Sequence, residues 1–379
     1  MVEVLARVDR FDYVHDTDPA GSRHHIIARS KTSSWSRHRF PMNSEMWIAL
    51  DGGTTNTRAS VVENGKITDT VKFDVGVRDT RGDGDNAVKA AVRACLDTLF
   101  ARIGLDPASV NCVASGMLGS EAGLVNLPHV LAPAGAEELA KGSVIWRDPL
   151  NPGVAIRILP GIRTGPDLAN PDKFAGSLVQ DIMRGEETQV WGVRETLSAT
   201  DPEALNSPWL LVWPGSHTKL IAVEADGTIT GSFTTLAGET YSALKSATLL
   251  KRSVPEEPAR QIEEPILDKA ARAVESTGLM RAAFWTRVAD ISGGLNAQER
   301  GQWLSAIVTA EDAWCLTSHP WTRNRRFASI LVGGEPTRQS AYYYLLEKNL
   351  GNRVRKLDAE VIQSAAAVGA VRLGQWSKS

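Results

Sequence analysis

One pattern occurs twice in this chain of 379 residues and constrains its fold more than any other feature. An apolar run, WIALD (47–51), ends in Asp, passes through GGTTNTR and returns as ASVVEN (59–64). An Asn64-Gly65 turn then leads into KITDTVKFDV (66–75). About 150 residues later PWLLVWPG (208–215) passes through a donor-rich turn into HTKLIAVEADGTITGSFTTL (217–236), folded about Asp226-Gly227. Asn-Gly and Asp-Gly between alternating apolar residues are strong hairpin signals. Each half therefore predicts a strand, a tight glycine-containing loop and a returning hairpin.

Helices and strands alternate after each opening. NAVKAAVRACLDTLFARIG (86–104) has helical apolar spacing and a terminal Gly104. Such a glycine suits the left-handed turn that ends a helix. NCVASG (111–116) reads as a buried strand, and a helix opens over Glu186 to Arg194. In the second half, 239–253 and 297–318 read as helices. FASILVGGEPTRQSAYYYLLEKNLG (327–351) reads as strand, Gly-Gly turn and helix, followed by strand VRKLD (354–358) and closing helix 359–376. The expected architecture is two α/β domains facing each other across a cleft, over 46–200 and 201–379. Residues 1–45 are polar and aperiodic and are expected to be a disordered extension or an upstream misassigned start, since Met42 and Met46 directly precede the first strand.

Composition excludes some functional classes. With 42 Lys and Arg against 44 Asp and Glu, the formal charge of -2 argues against a nucleic-acid or acidic-lipid binder. No apolar run approaches the ~20 residues of a membrane helix. Cys95, Cys112 and Cys315 are widely spaced, as reduced thiols of a cytoplasmic protein would be. The pattern fixes no oligomeric state.

Three stretches carry candidate chemistry. In the first, Asp51, Gly52, Gly53, Thr54, Thr55 and Asn56 form a turn rich in backbone and side-chain donors for an anion, with Asp51 placed to hold Mg²⁺ through water. In the second, Gly215, Ser216, His217 and Thr218 repeat the device. In the third, Gly333 and Gly334 deliver a strand to a helix mouth that includes Thr337. There the glycines would admit a flat ring or ribose, and the helix N-terminus a phosphate.

In this order and spacing the three stretches resemble the two phosphate motifs and the adenosine motif of the actin-like (ribonuclease H-like) ATPase and sugar-kinase superfamily. The run Ala366-Ala367-Val368-Gly369-Ala370 resembles its hinge helix, and GMLGS (116–120) sits at the other crossing. DIMRGEETQVWG (181–192) narrows the likeness: with ILPGI (158–162), PGSHTK and LAGETYSALKSATLL (236–250), it is similar to the 2-keto-3-deoxygalactonate kinases. The resemblance spans about Trp47 to Gly369. Gly52 departs from it, where many relatives carry an aromatic residue.

The resemblance implies ATP and Mg²⁺ as cofactors and a sugar-acid substrate phosphorylated on its terminal hydroxyl. It also implies a carboxylate base upstream of the second phosphate turn. Glu186 and Glu187 meet that condition, and Glu186 is preferred; adjacent helical residues point about 100° apart, so one of them should reach the substrate. Arg58 and Arg184 are candidates for the substrate carboxylate, with Met117, Gly119 and Ser120 lining the pocket. Another sugar kinase of the same fold, or an ATP-dependent switch, are the competing readings.

Overall fold

A computed structural model describes residues 46–79, 87–104, 106–165 and 180–376. The expectation for residues 1–45 lies outside the described residues.

The first half contains β1 (Met46–Gly52), β2 (Thr57–Glu63), β3 (Lys66–Phe73), α1 (Ala87–Ile103) and β4 (Asn111–Gly116). There follow β5 (Val130–Leu131), α2 (Ala136–Lys141), β6 (Val144–Asp148), β7 (Asn151–Ile158), β8 (Ile162–Thr164), β9 (Asp181–Met183) and α3 (Glu186–Thr200). The second half contains β10 (Trp209–Trp213), β11 (Thr218–Val223), β12 (Ile229–Thr235), α4 (Ala237–Ala247), α5 (Glu264–Ser292) and α6 (Ala297–Ser318). It ends with α7 (Pro320–Arg323), β13 (Ser329–Val332), α8 (Pro336–Leu350), β14 (Val354–Lys356) and α9 (Ala359–Trp376).

Two sheets have one plan. The first runs β3-β2-β1-β4-β7-β6 and the second β12-β11-β10-β13-β14. In each, an antiparallel three-strand meander is extended on its first strand by two parallel strands, and the first sheet adds β6 antiparallel at its edge. This repeated order is what the actin-like expectation requires. Asn64 and Gly65 both have positive φ, 51° and 73°, so the first hairpin closes through the predicted turn.

Alternation along the strands builds the layers. Ile48 and Leu50 face α1, whereas Trp47 and Ala49 join a core with α3 and α9. From the second sheet Trp209 and Leu211 enter that same central core, and Leu210 and Val212 turn to a third core with α5, α6 and α8. The result is five layers, with α3 and α9 between the sheets. Those two helices cross almost backbone to backbone: a Cβ on Gly192 would lie 1.9 Å from the Ala365 carbonyl oxygen, and one on Gly369 1.8 Å from that of Thr188.

The expected helix over 239–253 is shorter. Thr248 adopts an extended backbone, and its hydroxyl accepts from the Leu250 N–H to start a separate turn over Leu249–Arg252. Among the described residues no helix is long and apolar enough to cross a membrane. Cys95, Cys112 and Cys315 are free thiols.

Candidate active site

The first turn is closed by its own backbone. The Gly53 N–H donates to the Asn56 carbonyl at 2.8 Å, and the Gly53 and Thr54 carbonyls accept from Val77 and Arg78 N–H groups. Asn56 Nδ2 donates to Thr55 Oγ1 at 2.7 Å. Thr54 is exposed, and Gly53, Thr55 and Asn56 are half-buried, so the turn faces solvent on one side. Gly52 is different. It is buried, and a Cβ there would meet Leu118 Cγ at 2.6 Å. The absence of an aromatic side chain at this position thus matches tight packing against Leu118.

Asp51, at the end of β1, stands in register between Arg58 on β2 and Ser115 on β4. Burial pushes its carboxyl above the usual range, with Arg58 opposing. Ser115 Oγ is buried without a hydrogen-bond partner among the described residues. The same residues hold no group of three or more His, Cys, Asp or Glu side chains able to cage a metal. A lone carboxylate beside an unpaired hydroxyl still fits Mg²⁺, which binds through one or two carboxylates with waters and substrate phosphates. Asp51 is the residue that would hold it.

Gly116 follows with φ 67°, and its Cα packs 3.3 Å from where a Gly185 Cβ would stand. This contact joins the end of β4 to the start of α3. Met117–Gly119 form a single 3-10 turn, with Ser120 Oγ donating to the Met117 carbonyl at 2.6 Å. A Cβ on Gly119 would sit 2.9 Å from Arg184 Nη1, which brings Gly119 and Arg184 together.

The paired glutamates separate. Glu187 is fully buried, and both its oxygens accept the Gly185 N–H at 2.8 Å. Burial, then the neighbouring Glu186, raises its pKa to about 8. Glu186 is half-buried and accepts the Arg184 N–H at 3.1 Å. Burial raises its pKa too, but Lys219 and His217 from the second half pull it down. Glu186 therefore looks across to the second turn, while Glu187 braces the helix start.

At the second turn, Gly215 accepts Arg338 Nη1 at 2.5 Å, and Ser216 accepts the Glu239 N–H at 3.0 Å. His217 Nε2 lies 3.0 Å from Glu239 Oε1. Thr218, read from the sequence as a donor of this turn, is buried with its hydroxyl 3.0 Å from Tyr342 Oη. Tyr342 in turn donates to Asp312. The Thr218 side chain is thus turned into the second half. A recess beside the turn is lined by Gly238, Tyr241, Ser305, Thr309 and Arg338.

The Gly333-Gly334 pair accommodates the protein itself. A Cβ on Gly333 would meet the Trp213 ring at 2.5 Å, and Gly334 has φ 90° with the Pro214 carbonyl oxygen 2.7 Å from its Cβ position. The pair thereby locks the third stretch against the second. Thr337 Oγ1 donates to the Arg260 carbonyl at 2.7 Å, a structural tie.

The halves touch near the base. Lys219 Nζ donates to the Ile182 carbonyl at 2.7 Å and Thr234 Oγ1 to Asp181 Oδ2 at 2.9 Å. Sequence reasoning quoted Lys219 within PGSHTK without a role, and missed Ser115, Glu239 and Arg338. Only the ladder register and the α4–α8 packing bring those three residues to the turns.

Two sheets of one plan, each with a donor-rich turn, are the architecture expected of an actin-like kinase. The 2-keto-3-deoxy-galactonokinase family matches residues 51–372, and the chain belongs to it. It is an ATP-dependent carbohydrate kinase. It is 26% identical over 268 residues to the 2-dehydro-3-deoxygalactonokinase of Escherichia coli (strain K12), covering 69% of this chain and 77% of that protein. It is 25% identical over 330 residues to a protein of Rhizobium meliloti (strain 1021) named "Probable 2-dehydro-3-deoxygalactonokinase", covering 86% and 96%. A solved structure from Sinorhizobium meliloti, provisionally assigned the same name, superposes with a TM-score of 0.66 at 22% identity, over 86% of this chain and 96% of that one. That likeness bears on the fold alone.

Proposed function

We propose that this chain transfers the ATP γ-phosphoryl group to the terminal C6 hydroxyl of 2-keto-3-deoxygalactonate. The product is 2-keto-3-deoxy-6-phosphogalactonate, an intermediate of galactonate breakdown in the cytoplasm. The observation that carries this reading is Glu186, a half-buried carboxylate held by the Arg184 N–H and facing Lys219 and His217 of the opposite half. Family membership and the names of the relatives supply the substrate.

In this mechanism the two turns take the phosphates through their N–H groups and the Thr54 and Thr55 hydroxyls. Asp51 would hold Mg²⁺, which would supply positive charge against the phosphate oxygens. Glu186 accepts the C6 hydroxyl proton as that oxygen bonds to the γ-phosphorus and the β–γ bridge bond breaks, releasing ADP. In-line transfer needs the hydroxyl within about 3–3.5 Å of phosphorus, so the halves close on the bound pair and exclude water. Burial raises the Glu186 pKa, and the positive charge of Lys219 opposes that rise, in the direction a base requires.

The test is a coupled ADP-release assay against 2-keto-3-deoxygalactonate, its gluconate-derived epimer and neutral hexoses. Turnover highest on the galactonate-derived acid supports the reading, and preference for a neutral hexose overturns it.

A further inference from the structure

Four basic side chains from four segments gather on the small sheet β5-β8-β9. His129 precedes β5, Arg163 lies in β8, Arg184 follows β9, and Lys219 reaches in from β11. Arg184 Nη2 donates to the Leu127 carbonyl at 2.7 Å and lies 3.4 Å from His129 Nδ1. Its other terminal nitrogen, Nη1, is buried and has no hydrogen-bond partner among the described residues. Lys219 Nζ sits on the Ile182 carbonyl, and Ile182 is the register partner of Arg163. Arg163 alternates with buried Ile162 and Thr164, which puts its side chain on the opposite face of β8.

Glu186 and Glu187 act on Lys219 and Arg184 only at longer range than an ion pair. Among the described residues none of Arg163, Arg184 and Lys219 has a carboxylate oxygen within 4.0 Å. Burial, and then Arg184, Arg163 and Lys219, push His129 down to about 4, so its ring is neutral near neutral pH. Three cations on rigid strands, one with a buried unpaired N–H, are a binding place for an anion. Arg58, the other sequence candidate, is instead the register and electrostatic partner of Asp51.

We propose that Arg163, Arg184 and Lys219, with His129 as a neutral hydrogen-bonding partner, hold the C1 carboxylate of the substrate and so select sugar acids over neutral sugars. This rests on the reaction proposed above. Arg163 is the discriminating residue, since among the described residues its side chain makes no hydrogen bond or ion pair. Lys219 comes from the second half, so the carboxylate also helps draw the two halves together.

The experiment compares wild type, Arg163→Met and Arg163→Lys on 2-keto-3-deoxygalactonate and on its C1 amide, with ATP varied separately. Loss of a charge-assisted contact should lower kcat/KM for the acid about 10–100-fold in Arg163→Met, mainly through KM. The amide rate should fall much less than the acid rate, the KM for ATP should hold, and Arg163→Lys should lie between. Equal loss on acid and amide, or a raised KM for ATP, would overturn the subsite while leaving the reaction standing. So would a wild type that does not prefer the acid to its amide. A wild type active on neutral sugars but on no sugar acid would remove the reaction and the subsite together.

Discussion

Gly369→Ala should destabilise this protein even though alanine is the better helix former. In a helix interior the exchange is favourable by about 0.8–1.0 kcal/mol. Here the new Cβ would stand 1.8 Å from the Thr188 carbonyl oxygen and 2.6 Å from the Gly192 N. Ordinary contact begins at 3.4 Å, so α3 and α9 must part by roughly 1.6 Å. A gap of 0.5–1 Å already forfeits about a quarter to a half of a dispersion contact. Overpacked sites typically lose ~1–3 kcal/mol, and more where backbone meets backbone. With the backbone clash at about 3–4 kcal/mol, packing outweighs propensity, leaving a net loss of about 2–3 kcal/mol and, for a chain of this length, a Tm lower by about 3–4 °C. Thr188 is two residues beyond Glu186, so the displacement should also reach the base. A shift of ~1 Å can cost about 10²-fold in rate. Scanning fluorimetry and the ADP assay, run side by side on variant and wild type, read both effects. A Tm equal to or above wild type would mean that propensity wins and that the crossing is not this close.

Glu186→Gln should lower kcat by about 10²–10⁴-fold with ATP binding intact by calorimetry; wild-type turnover would place the base elsewhere. Glu187→Gln should remove a pH dependence. The folded pKa of about 8 exceeds the ordinary 4.5, so the stabilising contribution of this group is complete below about pH 4.5 and lost as pH rises through 8. Wild-type Tm should accordingly fall from pH 5 to 8.5 by more than that of Glu187→Gln, and parallel curves would refute the assignment. Gly334→Val should lower Tm together with ATP affinity, because φ 90° and the Pro214 carbonyl leave no place for a branched side chain. Selective loss of ATP binding at an unchanged Tm would show that the glycine serves the nucleotide directly.

The elements legible in the sequence were those whose signals are local. Asn64-Gly65 and Asp226-Gly227 fix two hairpins, and Gly104 ends α1 with a positive φ of 66°. The helix 297–318 is capped at its start by Asn296 and Glu299, and its bounds match the sequence reading. The long helix α5 was not legible. Pro265 opens it and Gly278 interrupts it with φ 76°, so no single run of helical spacing spans it. β5, β8 and β9 have two or three residues each, too short for any period to register. That small sheet assembles His129, Arg163 and Arg184, so the part of the site hardest to read is the part built by tertiary packing. Helix geometry gave the expectation that one of the two glutamates reaches the substrate, and in the structure Glu187 is buried and Glu186 half-buried. Which of them is buried depends on the Gly185 backbone, whose φ of 115° turns its N–H into the Glu187 carboxylate.

The placement of glycines explains why one chain can have both a rigid centre and a working cleft. Gly192 and Gly369 let α3 and α9 meet at the backbone, and helices in such contact act as one block between the sheets. Gly116 and Gly185 bring the end of β4 against the start of α3, so Asp51 and Glu186 are carried on the same half. The second turn is tied to a different frame, through Arg338 on Gly215 and Trp213 against Gly333. Between the frames run hydrogen bonds from Lys219 to Ile182, Thr234 to Asp181 and Arg194 to Ala225, and a backbone bridge between Ala134 and Ile229. A hydrogen bond of this kind contributes a net ~0.5–1.5 kcal/mol, small enough for bound ligands to reset. On the proposed mechanism Glu186 and the candidate metal ligand Asp51 stay fixed relative to one another, while the second turn moves on to the substrates as the halves close.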